Sequence, residues 1–468
     1  MNTSRENIMA PATPQGTGAI AVLRLSGPDV IRLTDELFRS PAGKLLTDAK
    51  GYTLHYGELR DGEELLDEVL VSVFRAPHSY TGEDAVEISL HGSPYIMQRV
   101  MEWFSARGVR PARPGEFTMR AFLNGKMDLT RAEAVADLIE AETEAQHRVA
   151  MHQLRGGFYR QLQDLRRQLV ELTALMELEL DFAEEDVEFA DRSRLTALLR
   201  NIKTEIKRLI DSFSQGNVIK HGVAVAIAGA PNTGKSTLLN TLLNEEKAIV
   251  THIPGTTRDT IEDVITLQGI RFRFIDTAGI RQTDDHVEKI GIQRSFRKIN
   301  EARLVLWLAD ALRWDEQKDE LRQRLADFKT RNPDQPLFLL INKIDAADEA
   351  LLEKIRRESA SMPADEVLFV SAKHKEGIAR LEEALVRRFR TDDADAGATV
   401  VTNIRHYHAL RNALQSLTEA EEAFAAGLST DLIAVDLRDV LQHLGEITGE
   451  ITPDDLLEHI FNNFCIGK

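Results

Sequence analysis

The chain contains a single cysteine among its 468 residues. One cysteine excludes an intramolecular disulfide and a metal site built from several cysteines, and it suits a reducing compartment. No apolar run approaches the roughly 20 residues that a membrane-spanning helix needs, and the N-terminus lacks the apolar core of a secretory signal. We therefore expect a cytoplasmic protein with no segment in a membrane.

Basic residues are also scarce, because 58 Lys and Arg stand against 75 Asp and Glu and give a formal net charge of −17. Proteins bind nucleic acid largely through Lys and Arg side chains that neutralise phosphates. If this chain acts on nucleic acid, it therefore needs a local basic patch or a basic partner. Its 43% hydrophobic and 28% charged residues are otherwise typical of a globular protein, and its length predicts about three domains.

The spacing of apolar residues and the positions of Gly and Pro predict how the chain is divided into domains. Residues 1–120 alternate short apolar runs with Gly and Pro, which indicates an α+β domain. Residues 121–217 and 395–468 carry apolar residues at helical spacing, whereas residues 218–394 alternate apolar strands with helices and predict a mostly parallel sheet. We interpret the helical segments as one discontinuous domain into which the α/β domain is inserted. Two unrelated helical segments are the alternative.

Residues 229–236, GAPNTGKS, fit the phosphate-loop pattern G-x-x-x-x-G-K-[ST]. They follow the apolar run VAVAIA and precede the helical pattern STLLNTLLN, which is the context that the pattern requires. Backbone N–H groups of such a loop point at phosphate oxygens. We therefore expect Lys235 to reach the β- and γ-phosphates and Ser236 to bind Mg²⁺.

Further nucleotide motifs follow apolar runs that predict strands. Asp276 of DTAG can reach the metal through water, and Gly279 places a backbone N–H near the γ-phosphate. Asp345 of NKID can accept two hydrogen bonds from guanine, whereas adenine presents the opposite pattern. SAK at 371–373 can support the base with main-chain N–H groups. Together the motifs predict a domain that binds and hydrolyses GTP.

The residue that orients the attacking water is less clear from the motifs. Ile280 follows DTAG, where small signalling GTPases carry a glutamine, and its side chain cannot hydrogen-bond. Another group must therefore position the water. The candidate acids are Asp284, Asp285 and Glu288, and the candidate charge stabilisers are Arg258 and Arg281.

A monovalent cation is a further candidate for this charge stabilisation. Asn232 in the phosphate loop can offer a carbonyl oxygen, and the loop THIPGTTRD at 251–259 can add backbone carbonyls. Oxygen ligands of low formal charge suit K⁺. An Asn that only stabilises the loop is the alternative.

The chain closely resembles the MnmE (TrmE) family of bacterial tRNA-modification GTPases over essentially its whole length. The most specific motifs are RPGEFTMRAFLNGKMDL at 113–129 and the terminal FCIGK at 464–468. TPQGTGAIAVLRLSG at 13–27, TGEDAVEISLHG at 81–92, and the PGTTRD, DTAGIR and EKIGI motifs also match. The implied fold is a folate-binding-like α+β domain, an all-α domain and an inserted Ras-like GTPase domain.

The resemblance implies a function together with a flavoprotein partner, MnmG (GidA), in a heterotetrameric or larger complex. Members install an aminomethyl or carboxymethylaminomethyl group at C5 of the wobble uridine of certain tRNAs. The implied one-carbon donor is 5-formyl- or methylene-tetrahydrofolate, bound by an N-terminal domain that also forms a homodimer. The G domains associate in a K⁺-dependent way during hydrolysis, with GTP and Mg²⁺ bound.

Carried over residue by residue, the resemblance implies these sites in this sequence. Glu288 is the acid that orients water, Ser236 and Thr257 bind Mg²⁺, and Asn232, Thr251, Ile253 and Thr256 bind K⁺. Arg24, Glu87, Lys126 and Lys468 contact folate, although by themselves Arg24 could face solvent and Lys126 could cap a helix. The GTP-site residues are Asn232, Thr233, Gly234, Lys235, Ser236, Thr237, Thr251, Thr256, Thr257, Asp276, Thr277, Ala278, Gly279, Asn342, Lys343, Asp345, Ser371, Ala372 and Lys373.

The terminal CIGK is not a prenylation box, because its third and fourth residues are Gly and Lys and no polybasic run precedes it. Thr452 and Pro453 predict a helix start, and that helix would turn Phe461 and Phe464 inward. By resemblance the tail points at the folate pocket, across the dimer. Cys465 is either a nucleophile or a small apolar filler.

A pure regulatory switch that binds RNA, such as a ribosome-assembly GTPase, is the alternative function. GTPase motifs do not separate the two, because many functions share one nucleotide site. The N-terminal 120 residues favour tRNA modification, since a switch needs no folate pocket.

Overall fold

A computed structural model of the chain describes residues 6–182, 192–245, 263–275, 302–390, 399–428, 430–451, 454–462, 464 and 467. The chain divides into two compact units. The first unit comprises residues 1–141, 147–212 and 399–468, and the second comprises residues 142–146 and 213–398. The helical segments on both sides of the predicted insertion thus fall in one unit. The domain boundaries named above stay a prediction.

The first unit begins with a seven-stranded sheet in the order β3-β4-β5-β6-β2-β1-β7. Neighbouring strands are antiparallel except for β1 and β7, which are parallel. Buried Val69, Val71 and Val73 alternate along β5 with outward-facing residues, as one-sided burial of a sheet requires. The strands are β1 Ile8–Pro11, β2 Ile20–Ser26, β3 Phe38–Arg39, β4 Thr53–Asp61, β5 Glu64–Phe74, β6 Ala85–His91 and β7 Arg110–Pro111.

Helices α1 Val30–Leu37 and α2 Pro94–Ser105 cover the apolar face of this sheet. Their residues Leu33 and Phe104 join Val71 and Ile88 of the strands in one core. This arrangement confirms the α+β fold predicted for the N-terminal region.

Long helices follow, as the spacing of apolar residues predicts. Leu162, Leu165, Leu169 and Leu172 recur at three- or four-residue intervals in α6, and all are buried. The helices are α3 Glu116–Leu123, α4 Leu129–Ile139, α5 Glu144–Leu154, α6 Gly157–Phe182 and α7 Arg192–His221.

The second unit holds a six-stranded sheet in the order β13-β12-β11-β8-β10-β9, in which only the β9–β10 pair is antiparallel. Helices pack on both faces, and each face has its own apolar core. This confirms the predicted mostly parallel sheet. Its elements are β8 Val223–Gly229, α8 Lys235–Glu245, β9 Asp263–Leu267, β10 Ile270–Ile275, β11 Leu304–Asp310, α9 Trp314–Arg331, β12 Leu337–Asn342, α10 Glu349–Ser359, β13 Glu366–Phe369 and α11 Ile378–Phe389.

The C-terminal helices complete the first unit. They are α12 Ile404–Ala425, α13 Thr430–Thr448 and α14 Asp454–Phe461. Phe461 and Phe464 are buried against Leu129 and Ala132 of α4, which confirms that they point inward. The predicted helix-start residues Thr452 and Pro453 lie outside the described residues.

A buried ionic cluster joins α12 to α4 within the first unit, with Arg405 and His406 on α12 and Glu133 on α4. The carboxylate of Glu133 lies 2.7 Å from Nε2 of His406 and 3.0 Å from Nη2 of Arg405. Nη1 of Arg405 also donates to the carbonyl oxygen of Glu446 at 2.6 Å. Burial alone would raise the pKa of Glu133, but the charges of His406 and Arg405 outweigh it and lower that pKa below its usual range.

Candidate functional site

Two glycines shape the loop between β8 and α8. Gly229 has a φ of +142°, and a Cβ there would lie 2.5 Å from the carbonyl oxygen of Leu308. Gly234 has a φ of +98°, and a Cβ there would lie 2.2 Å from Nδ2 of Asn342. Both positions therefore require glycine for conformation and for space.

Lys235 lies at the start of α8 and folds back over this loop. Its Nζ donates to the carbonyl oxygens of Gly229 at 2.9 Å and Ala230 at 2.8 Å. Burial lowers its pKa. A cation at a helix N-terminus inside a glycine-bounded loop is an arrangement that attracts phosphate.

Asn342 joins three of the predicted motifs at the carboxyl end of β12. Its Nδ2 donates to the carbonyl oxygen of Thr233 at 2.8 Å, and its Oδ1 accepts from the backbone N–H of Ala372 at 3.0 Å. Its side chain is buried. The hydroxyl of Thr241 in α8 also donates to the carbonyl oxygen of Ala372 at 2.7 Å. The buried side-chain amide of Asn342 therefore links the backbone of the phosphate loop to the backbone of the SAK segment.

The carboxylate of Asp345 lies at an exposed position, three residues after Asn342. The hydroxyl of Ser371 donates to its Oδ1 at 2.6 Å, and that hydrogen bond is the main cause that lowers the pKa of Asp345. The group is therefore ionised at neutral pH and can accept N–H donors from a base.

The motif analysis missed Asp310, at the carboxyl end of β11. It is buried, and its Oδ2 lies 2.7 Å from Nζ of Lys343. Lys343 itself has a φ of +66°, and this ion pair fixes its side chain. The signal available in the sequence was an acid directly after the apolar run LVLWLA, since such strand ends meet at one edge of a parallel sheet.

The remaining predicted GTP-site residues divide into two groups. Asn232, with a φ of +63°, and Lys373 are exposed on loops, and Ser236 and Thr237 are exposed in the first turn of α8. The exposed hydroxyl of Ser236 is a hard oxygen donor, which fits Mg²⁺. Among the described residues, no group of three or more His, Cys, Asp or Glu side chains could hold a metal.

The other predicted residues of the nucleotide site lie outside the described residues. They are Thr251, Ile253, Thr256, Thr257, Asp276, Thr277, Ala278, Gly279 and Glu288, together with the alternatives Arg258, Arg281, Asp284 and Asp285. The catalytic acid and most of the K⁺ loop therefore stay predictions.

A second candidate site lies on the sheet of the first unit. Arg24 of β2 and Glu87 of β6 are cross-strand partners, and Nε and Nη2 of Arg24 both lie 2.8 Å from Oε1 of Glu87. The rings of Tyr80 and Phe117 each lie with their centroids 5.8 Å from the guanidinium carbon of Arg24. Nη1 of Arg24 donates to the carbonyl oxygen of Gly467 at 3.1 Å.

Sequence reasoning missed Tyr80 and Phe117 as neighbours of Arg24, because no local pattern links them to it. The tail contacts Arg24 within one chain, and the implied contact across a dimer stays a prediction. Gly467 has a φ of +96°, and a Cβ there would lie 2.3 Å from the carbonyl oxygen of Pro11. Its neighbours Cys465 and Lys468 lie outside the described residues.

Lys126 lies on a loop next to this site, and among the described residues it forms no hydrogen bond or ion pair with Arg24 or Glu87. Its Nζ donates to the carbonyl oxygen of Pro77 at 2.9 Å. Nδ2 of Asn124 donates to the carbonyl oxygen of Thr81 at 2.7 Å. Both contacts hold the 77–81 loop that carries Tyr80.

Comparison with known proteins identifies the family of this chain. Residues 7–126 match the family model of the GTP-binding protein TrmE N-terminus, and residues 129–465 match that of the MnmE helical domain. A Christiangramia forsetii protein named tRNA modification GTPase MnmE is 51% identical over 470 residues, which cover 99% of each chain. Proteins of the same name from Flavobacterium psychrophilum and Bacteroides thetaiotaomicron are 50% and 48% identical, over 99% of this chain and 99% and 100% of theirs. This chain therefore belongs to the MnmE (TrmE) family of tRNA modification GTPases.

Proposed function

We propose that this GTPase couples GTP hydrolysis to the modification of tRNA at C5 of the wobble uridine. The observation that carries the GTP part is Asn342, which ties the phosphate loop to the SAK segment beside Asp345. The tRNA part rests on relatives that match this chain over its whole length and are named for tRNA modification. The installed group is aminomethyl or carboxymethylaminomethyl.

Three described residues carry the main contacts of the nucleotide site in this proposal. Lys235 and the N-terminus of α8 bind the β- and γ-phosphates. The ionised carboxylate of Asp345 accepts from N1–H and the exocyclic amine of guanine. Asn342 keeps these two groups at a constant separation.

Two metal ions complete the nucleotide site in the proposal. Ser236 and Thr257 hold Mg²⁺, and Asn232, Thr251, Ile253 and Thr256 hold K⁺, while Glu288 orients the attacking water. The ions supply positive charge to the phosphates, which speeds phosphoryl transfer. GTP turnover in K⁺ and in Na⁺ at matched ionic strength tests the K⁺ site, and equal rates would remove it from the proposal.

The Arg24–Glu87 pair is proposed as the site of 5-formyl- or methylene-tetrahydrofolate. A carboxylate and a guanidinium beside two aromatic rings suit a flat ring system with donors and acceptors on its edge. Lys126 and Lys468 complete the site as cations for carboxylates. Folate would supply the one-carbon unit, and the chain's own residues would bind and orient it.

Partners and location are proposed on the same family basis. We propose a cytoplasmic homodimer that works with a flavoprotein of the MnmG (GidA) type in a heterotetrameric or larger complex. No helix among the described residues is long and apolar enough to cross a membrane.

The deciding experiment is nucleoside analysis of tRNA from cells that lack this chain. We expect the C5-modified wobble uridine to disappear and to return when the wild-type gene is restored. Unchanged wobble uridine with intact GTP hydrolysis would support the alternative of a regulatory switch.

A further inference from the structure

The corner between α5 and α6 is unusually basic for so acidic a chain. Residues 145–163 contain no Asp or Glu, although the chain has 75 acids among 468 residues. The same stretch contains Arg148, Arg155 and Arg160 together with His147 and His152. We call the set Arg131, Arg155, Tyr159 and Arg160 the α5–α6 corner.

The fold brings Arg131 of α4 to this corner. Its guanidinium carbon lies 5.3 Å from the centroid of the Tyr159 ring. Gly156 has a φ of +76°, and a Cβ there would lie 2.4 Å from Nη2 of Arg131. The Arg131 side chain therefore lies directly against the turn between α5 and α6. Nη1 of Arg160 donates to the carbonyl oxygen of Arg155 at 2.9 Å. Arg131 and Arg160 thus approach the same short turn from two helices.

Most of the charge at this corner is not neutralised by the protein. Arg155 and Arg160 are exposed, and neither forms an ion pair among the residues that the structure describes. Arg131 pairs with Asp128 at 3.0 Å and is one-third exposed. The arginines further along α6 differ, because Arg166 pairs with Glu450 and Arg167 pairs with Asp164.

A neighbouring feature adds to the positive potential. The first turn of the 26-residue helix α6 contains no acid, and its N-terminal N–H groups carry partial positive charge.

We propose that the α5–α6 corner is a contact surface for the phosphate backbone of the tRNA substrate. Arginine guanidinium groups suit phosphate because their N–H donors match its oxygens in pairs. Tyr159 keeps one of them in place and offers an aromatic face, as is common where proteins meet RNA. A chain of net charge −17 needs such a local patch or a basic partner, since affinity for RNA depends on neutralised phosphates. This inference rests on the proposed function.

The test compares two double variants of the full chain. In R155Q/R160Q the unpaired charges of the corner are removed. In the control R167Q/R208Q two exposed arginines are removed that pair with acids on their own helices, Arg167 with Asp164 at 3.0 Å and Arg208 with Glu205 at 3.1 Å. Both variants lose the same formal charge.

The measurement is the affinity for an unmodified tRNA transcript with a wobble uridine, by fluorescence anisotropy over a range of KCl concentrations. We expect R155Q/R160Q to bind at least about fivefold more weakly at 100 mM KCl. The plot of log affinity against log salt concentration should become less steep. The magnitude of its slope should decrease by about 1–2, because each lost phosphate contact removes about 0.7–0.9. The control should keep the wild-type slope.

Several outcomes would overturn the inference. R155Q/R160Q could bind tRNA with the slope of the control, or the wild-type chain could bind no tRNA. Unchanged tRNA affinity with weaker binding of the flavoprotein partner would assign the corner to a protein surface instead. GTP turnover in the same preparations separates this failure from failure of the proposed GTPase function, since the corner variants should hydrolyse GTP at the wild-type rate.

Discussion

Nδ2 of Asn342 donates a hydrogen bond of 2.8 Å to the backbone carbonyl of Thr233, 109 residues earlier in the chain. The same side chain accepts from the backbone of Ala372. The phosphate loop and the base-binding segment are therefore positioned by one buried amide. The relationship makes Asn342 a positioning residue for both ends of the nucleotide.

Replacement of Asn342 by alanine should weaken GTP and GDP binding at least about tenfold, because the phosphate loop and the SAK segment lose their common partner. We expect a stability loss of about 1–3 kcal/mol from the unsatisfied backbone groups. Fluorescent-GDP titration and thermal unfolding measure the two effects. N332A serves as the control and should keep nucleotide affinity. The side chain of Asn332, in the same unit, makes one long hydrogen bond of 3.4 Å to the carbonyl oxygen of Phe328.

Replacement of Asp345 by asparagine should change base preference from guanine to xanthine. The carboxylate accepts two N–H donors from guanine, whereas an amide offers one donor and one acceptor, which matches the 2-oxo edge of xanthine. Competition of GTP and XTP for the site measures the change, with D334N at an exposed acid as control. Equal losses of both nucleotides would contradict the assignment of the base site.

GTP binding should also keep its dependence on Asp345 over the range from pH 8 to pH 5. The pKa of this carboxyl is lowered, so the charged form persists below the ordinary pKa and is lost only as pH falls through the lowered value. A GDP affinity that falls sharply between pH 7 and pH 6 in the wild type, but not in D345N, would be inconsistent with this picture.

Replacement of Arg24 by alanine should reduce tRNA modification by at least about tenfold and leave GTP turnover unchanged. The change removes the cation that pairs with Glu87, lies beside two aromatic rings and donates to the Gly467 carbonyl. Modified nucleoside content and folate binding by the purified chain measure the effect. R32A, which removes an exposed arginine paired with Glu36 in the same unit, should behave as wild type.

Removal of residues 465–468 should abolish modification and spare GTP hydrolysis, because the tail contacts Arg24 of the proposed folate site through the Gly467 carbonyl. G467A tests the same contact more gently, since its Cβ would meet the Pro11 carbonyl oxygen at 2.3 Å. G427A is a matched control, with a φ of +69° and nothing within 4 Å of a Cβ. Loss of GTP hydrolysis in the truncated chain would point to a structural role for the tail.

Replacement of Glu133 by glutamine should destabilise the first unit at pH 7 by about 3–5 kcal/mol, because Arg405 and His406 lose their buried counter-charge. The pKa of Glu133 is lowered in the folded state, so its contribution is present above the unfolded pKa and is lost as pH falls through the folded one. The difference between E133Q and wild type should therefore shrink towards pH 3. Calorimetric unfolding at pH 7, 5 and 3 measures it, and a constant difference would contradict the prediction.

The sequence by itself determined the elements and the nucleotide motifs, because both are encoded by neighbouring residues. Alternating and continuous apolar runs predicted the two sheets, helical spacing predicted the long helices, and the motifs could be placed at the ends of strands. The GTP-site residues Lys235 and Asp345 follow directly from those local patterns. The resemblance to a known family then added Arg24 and Glu87, which spacing alone did not distinguish from surface residues.

Only the tertiary structure decided which distant groups meet. Glu133 and Arg405 are 272 residues apart in the chain, and Arg24 and Gly467 are 443 apart, so no periodicity relates them. No motif includes Asp310, and it pairs with Lys343 only because the parallel sheet places the ends of their strands side by side. Arg131 likewise joins the α5–α6 corner only because α4 packs against the turn at Gly156. Such pairs form because burial makes an unpaired charge or hydrogen-bonding group costly, and that cost exists only after the chain has folded.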